Sequence, residues 1–414
     1  MSDPEPDAAR VQRLAIGVLA VCTALNFLSR GVSDAFAVFL LPLEEEFGAD
    51  RATLTGIYSV YMLVHGLAAP AIGMIFDRLG PRVVYAGGLA CYGIAYILAG
   101  SVGMLWQLYV LAGLAGGVAA AAIGMVPASG LVSRWFRTRL PMAMGVLYAS
   151  LGTGLLLFAP VTQWLIDSLG WRGAYRVLGA SLLVMLVPLL LLPWRRMAAG
   201  HPDYAASGIR RTAQGAAWTL SRALGTTAFW ALFGVMFVTS LSTYAVNVQV
   251  VVYLIGIGFT PLKAASIYGL VGMLSVVGML GAGVAAGQFG ERAVATFAYA
   301  CSIAGIAALA LLQSTPSLVL LGAFVALFGT VAGSRGPLVA VLSARLFSGG
   351  GMGAIYGAIV LGLGLGGAAG SWGAGALHDL TGGYGAGFAL GASGAVAGMV
   401  LFWTVGALSG RPGR

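Results

Sequence analysis

Twelve apolar stretches, each about twenty residues or longer, follow one another along this chain, at about 12–40, 53–75, 82–101, 105–130, 139–166, 173–194, 227–254, 264–287, 292–313, 316–341, 352–377 and 384–408. A stretch of about 20 apolar residues crosses the hydrocarbon core as an α-helix, because lipid leaves the backbone no partner but itself. Charged residues make up 8% of the sequence, where a soluble domain carries roughly a quarter. The 64 glycines suit helices that pack closely in lipid. The expectation is an all-α integral membrane protein with twelve transmembrane helices.

The long polar interruption at 195–226 holds Arg195, Arg196, Arg210, Arg211 and Arg222. It divides the chain into an N-terminal tail (1–11), a first six-helix bundle (12–194), a cytoplasmic linker (195–226), a second six-helix bundle (227–408) and a short tail (409–414). Two halves of six helices form the pattern of a duplicated transporter fold. Loop charge sets the orientation. With both termini cytoplasmic, Arg10, Arg13, Arg78, Arg82, Arg134, Arg137, Arg139, the linker arginines, Arg292, Arg345, Arg411 and Arg414 all lie inside. The opposite side keeps Arg51, Arg172, Arg176 and Lys263 beside Glu44, Glu45, Glu46, Asp50, Asp167 and Asp379. That is the bias of the positive-inside rule.

The net charge of +9 is thereby accounted for without nucleic acid. Cys22, Cys91 and Cys301 each fall in an apolar run and lack metal or disulfide spacing, so no metal or cofactor is expected. The first apolar run is about twice the length of a signal-peptide core. No nucleophile–base set is evident, so an enzyme is not expected.

Three charges break this pattern by lying within spanning stretches: Arg30, Asp34 and Arg335. Intramembrane charges are expensive and face a partner or a watery path. Asn26, Arg30 and Asp34 are spaced by four and share one helix face. Two readings stand open: a polar stripe lining a central cavity, or a self-neutralised Arg30–Asp34 pair that serves packing. Arg335, in Gly333-Ser-Arg-Gly-Pro337, reads either as a substrate or gating residue or as a side chain snorkelling to the interface. Tyr58, Tyr61 and His65 share a face of helix two. His65 is a proton-coupling candidate beside Asp34, or a hydrogen-bonded packing histidine. Helix seven corresponds to helix one in a duplicated fold and carries Tyr244 and Asn247, which read as substrate contacts opposite Arg30 or as interhelical bonds. His378 and Asp379 read as a loop feature. The glycines from Gly357 to Gly375 read as a close-packing, rocking surface.

The segment Gly73-Met-Ile-Phe-Asp77-Arg78-Leu-Gly80-Pro81-Arg82 resembles the signature loop of the major facilitator superfamily. The resemblance implies a conformational latch made by Gly73, Asp77, Arg78, Gly80 and Arg82, with Asp77 at a neighbouring helix N-terminus. The equivalent segment Gly283–Arg292 keeps its glycines and lacks the acid. With Phe39–Gly48, Trp135-Phe136-Arg137, Gly170-Trp171-Arg172 and Asp379–Tyr384, the chain is similar to the monocarboxylate and oxalate/formate porters of that superfamily. Helix eight, around Ser266, Tyr268 and Ser275, lacks the arginine several carboxylate porters carry there, so Arg30 and Arg335 would take that role.

With two arginines and one aspartate, the expected cavity carries about one positive charge. It fits a secondary active transporter of a small organic anion, monocarboxylate type, with proton coupling expected through Asp34 or His65. Arg30, Arg335, Asn26, Tyr244, Asn247 and Tyr61 would bind substrate. The expected setting is a monomer in the cell (inner) membrane. The alternatives are exchange of oxalate/formate-like or inorganic anions, and efflux of a drug or metabolite.

Overall fold

The structure is a computed structural model that describes residues 5–136, 139–201, 218–347 and 352–406. Arg137, Arg210, Arg211, Arg411 and Arg414 lie outside the described residues. The described residues are almost entirely helical, without a strand. Among the described residues, ten helices are long and apolar enough to cross a membrane.

Helix α1 runs from Glu5–Asp34 into Phe36–Phe47 through the single turn residue Ala35. Ser33 donates to the Ser29 carbonyl one turn back, and such back-bonding bends helices. α2 (Arg51–Leu79) and α3 (Pro81–Ala99) meet at Gly80, where φ is 81°. Pro81 occupies the first position of α3, where its missing N–H costs nothing. α4 comprises Leu105–Leu108, a π-helical turn at Tyr109–Ala115, Gly116–Ile123 and Met125–Trp135. Leu140–Leu191 turns back at Gly170 (φ 71°); its limbs are α5 (140–169) and α6 (171–191).

The second half holds α7 (Thr227–Gly256), α8 (Pro261–Phe289) and α9 (Glu291–Leu311). α10 is built from Leu318–Phe324, a π-helical turn at Val325–Gly329, and Arg335–Leu346. α11 (Met352–Thr381) and α12 (Gly385–Thr404) complete it. One spanning stretch is expected over 316–341, weakened at Gly336 and Pro337. The structure breaks it at the turn 332–334, because Pro337 has no N–H and its ring clashes with the carbonyl one turn back.

The halves repeat one framework. Gly48, Gly80 and Gly170, all at positive φ, are matched by Gly258, Gly290 and Gly382, each 210 or 212 residues further on. Each sits at a chain reversal that an L side chain would strain. Charged ends segregate onto two faces. One face, the more acidic, gathers Glu44, Glu46, Asp50, Asp167 and Asp379 with Arg51 and Arg172 among them, and the other, the more basic, gathers Arg78, Arg82, Arg134, Arg195, Arg222, Arg292 and Arg345 with Asp77 and Glu291 among them.

The halves meet where α2 lies along α11 and where α8 lies along the Leu140–Leu191 unit. Glycine makes these approaches possible. A Cβ on Gly152 would fall 2.1 Å from the Gly272 carbonyl oxygen, and one on Gly364 would fall 2.8 Å from that of Met62. α11 also uses a second glycine row, Gly362, Gly366 and Gly370, against the backbone of α7. Its glycines therefore serve packing inside the second half as well as the junction.

Gly152→Val should lower the apparent melting temperature of the detergent-solubilised protein, by the equivalent of about 1–3 kcal/mol. Gly87→Ala, where a Cβ meets nothing within 4 Å, should leave it level or raise it. Differential scanning fluorimetry of the two variants checks this.

Candidate functional site

The bend in α1 places its polar face at the junction of the halves. Arg30 Nη2 lies 3.1 Å from Asp34 Oδ2, one helical turn away. The same nitrogen donates to the Tyr244 hydroxyl of α7. Tyr58 of α2 donates to Asp34 Oδ1 at 2.7 Å. Its ring lies 5.7 Å from that of Tyr244 and 5.5 Å from that of Phe36. One ion pair thus joins α1, α2 and α7, and it reaches across both halves of the fold.

The pair is buried unequally. The Asp34 side chain is 9% exposed and that of Arg30 20%. Among the described residues every polar contact of Arg30 runs through Nη2. Nε and Nη1 make none, so part of the fork is left for a further acceptor.

Ser33, one residue before Asp34, gathers a second set of bonds. Tyr61 donates to its hydroxyl at 2.7 Å and Tyr92 of α3 at 3.2 Å. A water-sized cavity beside it is lined by Ser33, Phe36, Tyr58, Tyr61 and Tyr96 with apolar neighbours. Tyr61 stacks on His65, ring centroids 6.0 Å apart. His65 Nδ1 is buried and has no hydrogen-bond partner among the described residues. Asn26 is buried and turned onto its own helix, donating to the Cys22 carbonyl at 2.9 Å, with its side-chain oxygen unpartnered. Asn247 is half-buried on α7, one turn beyond Tyr244.

Arg335 does not join this cluster, which departs from the expectation that it shares the cavity with Arg30. It is 2% exposed inside the second half. Its Nη1 donates to Ser302 Oγ at 2.9 Å and to the Ala298 carbonyl at 3.2 Å, and its guanidinium lies 4.8 Å from the Tyr299 ring centroid. All three partners belong to α9. The physical reason is the break at 332–334: the helix restarts at Arg335 and presents it to α9. The expected surplus of positive charge is therefore absent from the junction, where Arg30 faces Asp34 as a neutral pair.

The signature loop sits on the basic face. Asp77, its side chain 76% exposed, lies 3.4 Å from Arg134 of α4. Arg134 also stacks over Phe76 at 5.2 Å and bonds the Ala198 carbonyl. Arg78 and Arg82 are exposed. Gly80 makes the reversal, whereas a Cβ on Gly73 would meet Val126 at 3.8 Å, an ordinary contact rather than a tight one. Among the described residues no hydrogen bond or ion pair joins this loop to the second half.

Sequence reasoning placed Tyr58 on the right helix face without assigning it a role, and it passed over Ser33. Both lie within one turn of a singled-out residue, so the signal was helical spacing. It took Asp379 for a loop feature. Both carboxylate oxygens of Asp379 instead accept from the other half, from the N–H of Arg51 at 3.0 Å and of Ala52 at 2.7 Å.

A duplicated helical fold with an ion pair at the junction of its halves is a framework that can be compared with known proteins. The model of the Major Facilitator Superfamily matches residues 19–371, and the chain belongs to that family. Monocarboxylate transporter 11 of Homo sapiens is 31% identical over 180 residues, 42% of this chain and 38% of that protein. An uncharacterized MFS-type transporter of Bacillus subtilis, YcxA, is 26% identical over 172 residues, 42% of this chain and 41% of that protein. The matched part thus spans about two fifths of these relatives. Monocarboxylate transporter 12 of Homo sapiens matches more of the chain, 24% identical over 359 residues, 80% of this chain and 68% of that protein. The crystal structure of a D-xylose-proton symporter superposes with a TM-score of 0.73 at 15% identity, covering 94% of this chain and 97% of that one, and so shares the fold.

Removing one member of the buried pair strands the other. Asp34→Ala and Arg30→Ala should each destabilise the protein by about 3–5 kcal/mol, and the double variant should recover much of the loss. Thermal unfolding of the three variants in one detergent measures that coupling.

Proposed function

We propose that the chain crosses the cell (inner) membrane twelve times, with both termini cytoplasmic, and carries a small organic anion of the monocarboxylate type by proton-coupled alternating access. Twelve crossings follow if the Leu140–Leu191 unit counts as two and the broken α10 as one beside the other helices. The segregation of arginine onto one face supports the orientation.

The observation that carries the reading is the half-engaged guanidinium of Arg30 at the junction. A substrate carboxylate suits its free nitrogens, since arginine binds carboxylates through paired N–H donors. With Asp34 ionised the pair is neutral and has little need of an anion. A proton on Asp34 releases Arg30, and the substrate carboxylate takes its place. Proton and anion then travel together without net charge buried in lipid. Tyr244 positions Arg30 from the second half, and Tyr58 holds Asp34. Tyr61 and Asn247 are further substrate contacts in this reading, Asn26 being buried against its own helix, and His65 beside Tyr61 is the second proton-accepting group. Arg335 holds α10 to α9 and takes no direct part in binding. The protein works as a monomer, since the site is complete within one chain.

Uptake of labelled lactate, pyruvate, formate and benzoate into proteoliposomes with an alkaline interior tests this. Wild-type uptake of at least one anion should rise as the outside is acidified. Arg30→Ala should lower kcat/KM for that anion about 10–100-fold, the loss of a charge-assisted carboxylate contact. Asp34→Asn should keep anion exchange and lose the response to the pH gradient. Arg335→Ala should change KM by no more than about twofold, as for a distant independent site. Undiminished transport of every anion by Arg30→Ala would remove Arg30 from the mechanism and the anion reading with it.

A further inference from the structure

We infer that Asp379 is the latch of the acidic face: it seats its carboxylate on the first turn of α2 and holds the two halves together on that side. This rests on alternating access between the halves and not on the identity of the cargo.

The contact has unusual completeness. Arg51 and Ala52 are the first residues of α2, and their N–H groups have no acceptor within the helix. Asp379 Oδ1 takes the first at 3.0 Å and Oδ2 the second at 2.7 Å. An anion at a helix N-terminus also gains from the helix dipole. The seat is built around it. Asp50 caps the same turn through Thr53 N–H, so the donors at Arg51 and Ala52 stay free for the second half. The Arg51 side chain is buried and drawn to Glu44 at 2.6 Å. His378 Nδ1 lies 3.6 Å from Asp379 Oδ1, and its ring packs 4.7 Å from that of Tyr384. One turn earlier, a Cβ on Gly375 would fall 2.7 Å from the Arg51 carbonyl, so α11 lies directly on the start of α2.

The internal duplication supplies a control within the molecule. Asp379-Leu-Thr-Gly382 ends α11, and Asp167-Ser-Leu-Gly170 ends α5, with both glycines at positive φ. By the repeat, Asp167 stands toward α8 as Asp379 stands toward α2. Yet α8 begins with Pro261, which has no N–H to give. Asp167 accepts from Gln163 of its own helix at 2.7 Å instead. Only one of the two repeated carboxylates finds a two-donor seat, and only that one crosses between the halves.

On the basic face the signature loop makes no polar contact with the second half among the described residues. On the acidic side Ser59 and Ser371 hydrogen-bond across the junction at 2.6 Å. The described conformation is therefore closed where Asp379 acts. Opening that side must first lift the carboxylate off α2.

The test is a cysteine pair, Ser59→Cys with Ser371→Cys, in the full-length chain with Cys22, Cys91 and Cys301 changed to alanine. The serine oxygens stand close enough for a disulfide to replace them. In membrane vesicles with copper phenanthroline and no substrate, the pair should crosslink readily. Adding Asp379→Ala should slow crosslinking about tenfold, as the closed state loses two charge-assisted hydrogen bonds. Asp379→Asn preserves size and should give an intermediate rate; it supplies the deciding measurement should the alanine variant fail to accumulate. Asp167→Asn should leave the rate unchanged. Crosslinking of the Asp379 variants at the parental rate would overturn the inference. Because no anion is present, failure of the anion reading would leave this result untouched.

Discussion

A guanidinium inside a bilayer must be met by something, and the structure meets its two intramembrane arginines in different ways. Arg30 is met by a carboxylate that can lose its charge, at a place where two helix bundles touch. Arg335 is met by a carbonyl, a hydroxyl and a tyrosine face, none of which changes charge at ordinary pH. The first arrangement is adjustable: a proton or a competing anion alters it. The second is fixed, and it lies wholly inside one bundle. An interaction serves transport only if its strength differs between states, and of the two arginines only Arg30 has partners in both halves of the fold.

The duplicated framework sharpens this contrast. Reversals at Gly48, Gly80 and Gly170 recur at Gly258, Gly290 and Gly382, and both α4 and α10 carry a π-helical turn. The backbone therefore repeats closely while the polar fittings do not. Asp77 has no acidic counterpart before Gly290. Arg51 is matched by a proline at the start of α8, and the Arg30–Asp34 pair faces Tyr244 rather than a second ion pair. A pair of identical halves would place like charges opposite one another at the junction, which low dielectric makes costly. Divergence at these few positions lets one side carry charge and the other answer with neutral donors and acceptors.

Much of the architecture was legible in the sequence because lipid permits so few solutions. Apolar run length, the Arg195–Arg222 interruption and the signature loop led to a duplicated helical transporter without coordinates. The Arg30 and Asp34 face was legible too, since a spacing of four fixes one side of a helix. Arg335 was not. Helical periodicity carries an angle along a continuous helix, and the turn at 332–334 resets it. Gly333, Gly336 and Pro337 announced the break but not the direction of the restart. Asp379 was missed for a different reason. Its partners are backbone N–H groups, which every residue but proline possesses, so no side chain in the sequence advertises them.

The site and the closed side are mechanically in series. Asp379, Ser59–Ser371 and Gly66 against Gly364 follow one another down the α2–α11 seam, and Tyr58 and Tyr61 on the same α2 reach Asp34 and Ser33. Motion that parts this seam therefore changes the surroundings of Asp34, and a change of charge at Asp34 alters what holds α1 to α2 and α7. Moving a two-state equilibrium from one side to the other takes about 5 kcal/mol of differential binding. A few hydrogen bonds to charged groups, each about 1.5–3 kcal/mol, are of that size. In the proposed mechanism a cargo that borrows Arg30 from Asp34 acts beside the Arg30–Tyr244 hydrogen bond, which is one of the contacts joining the halves.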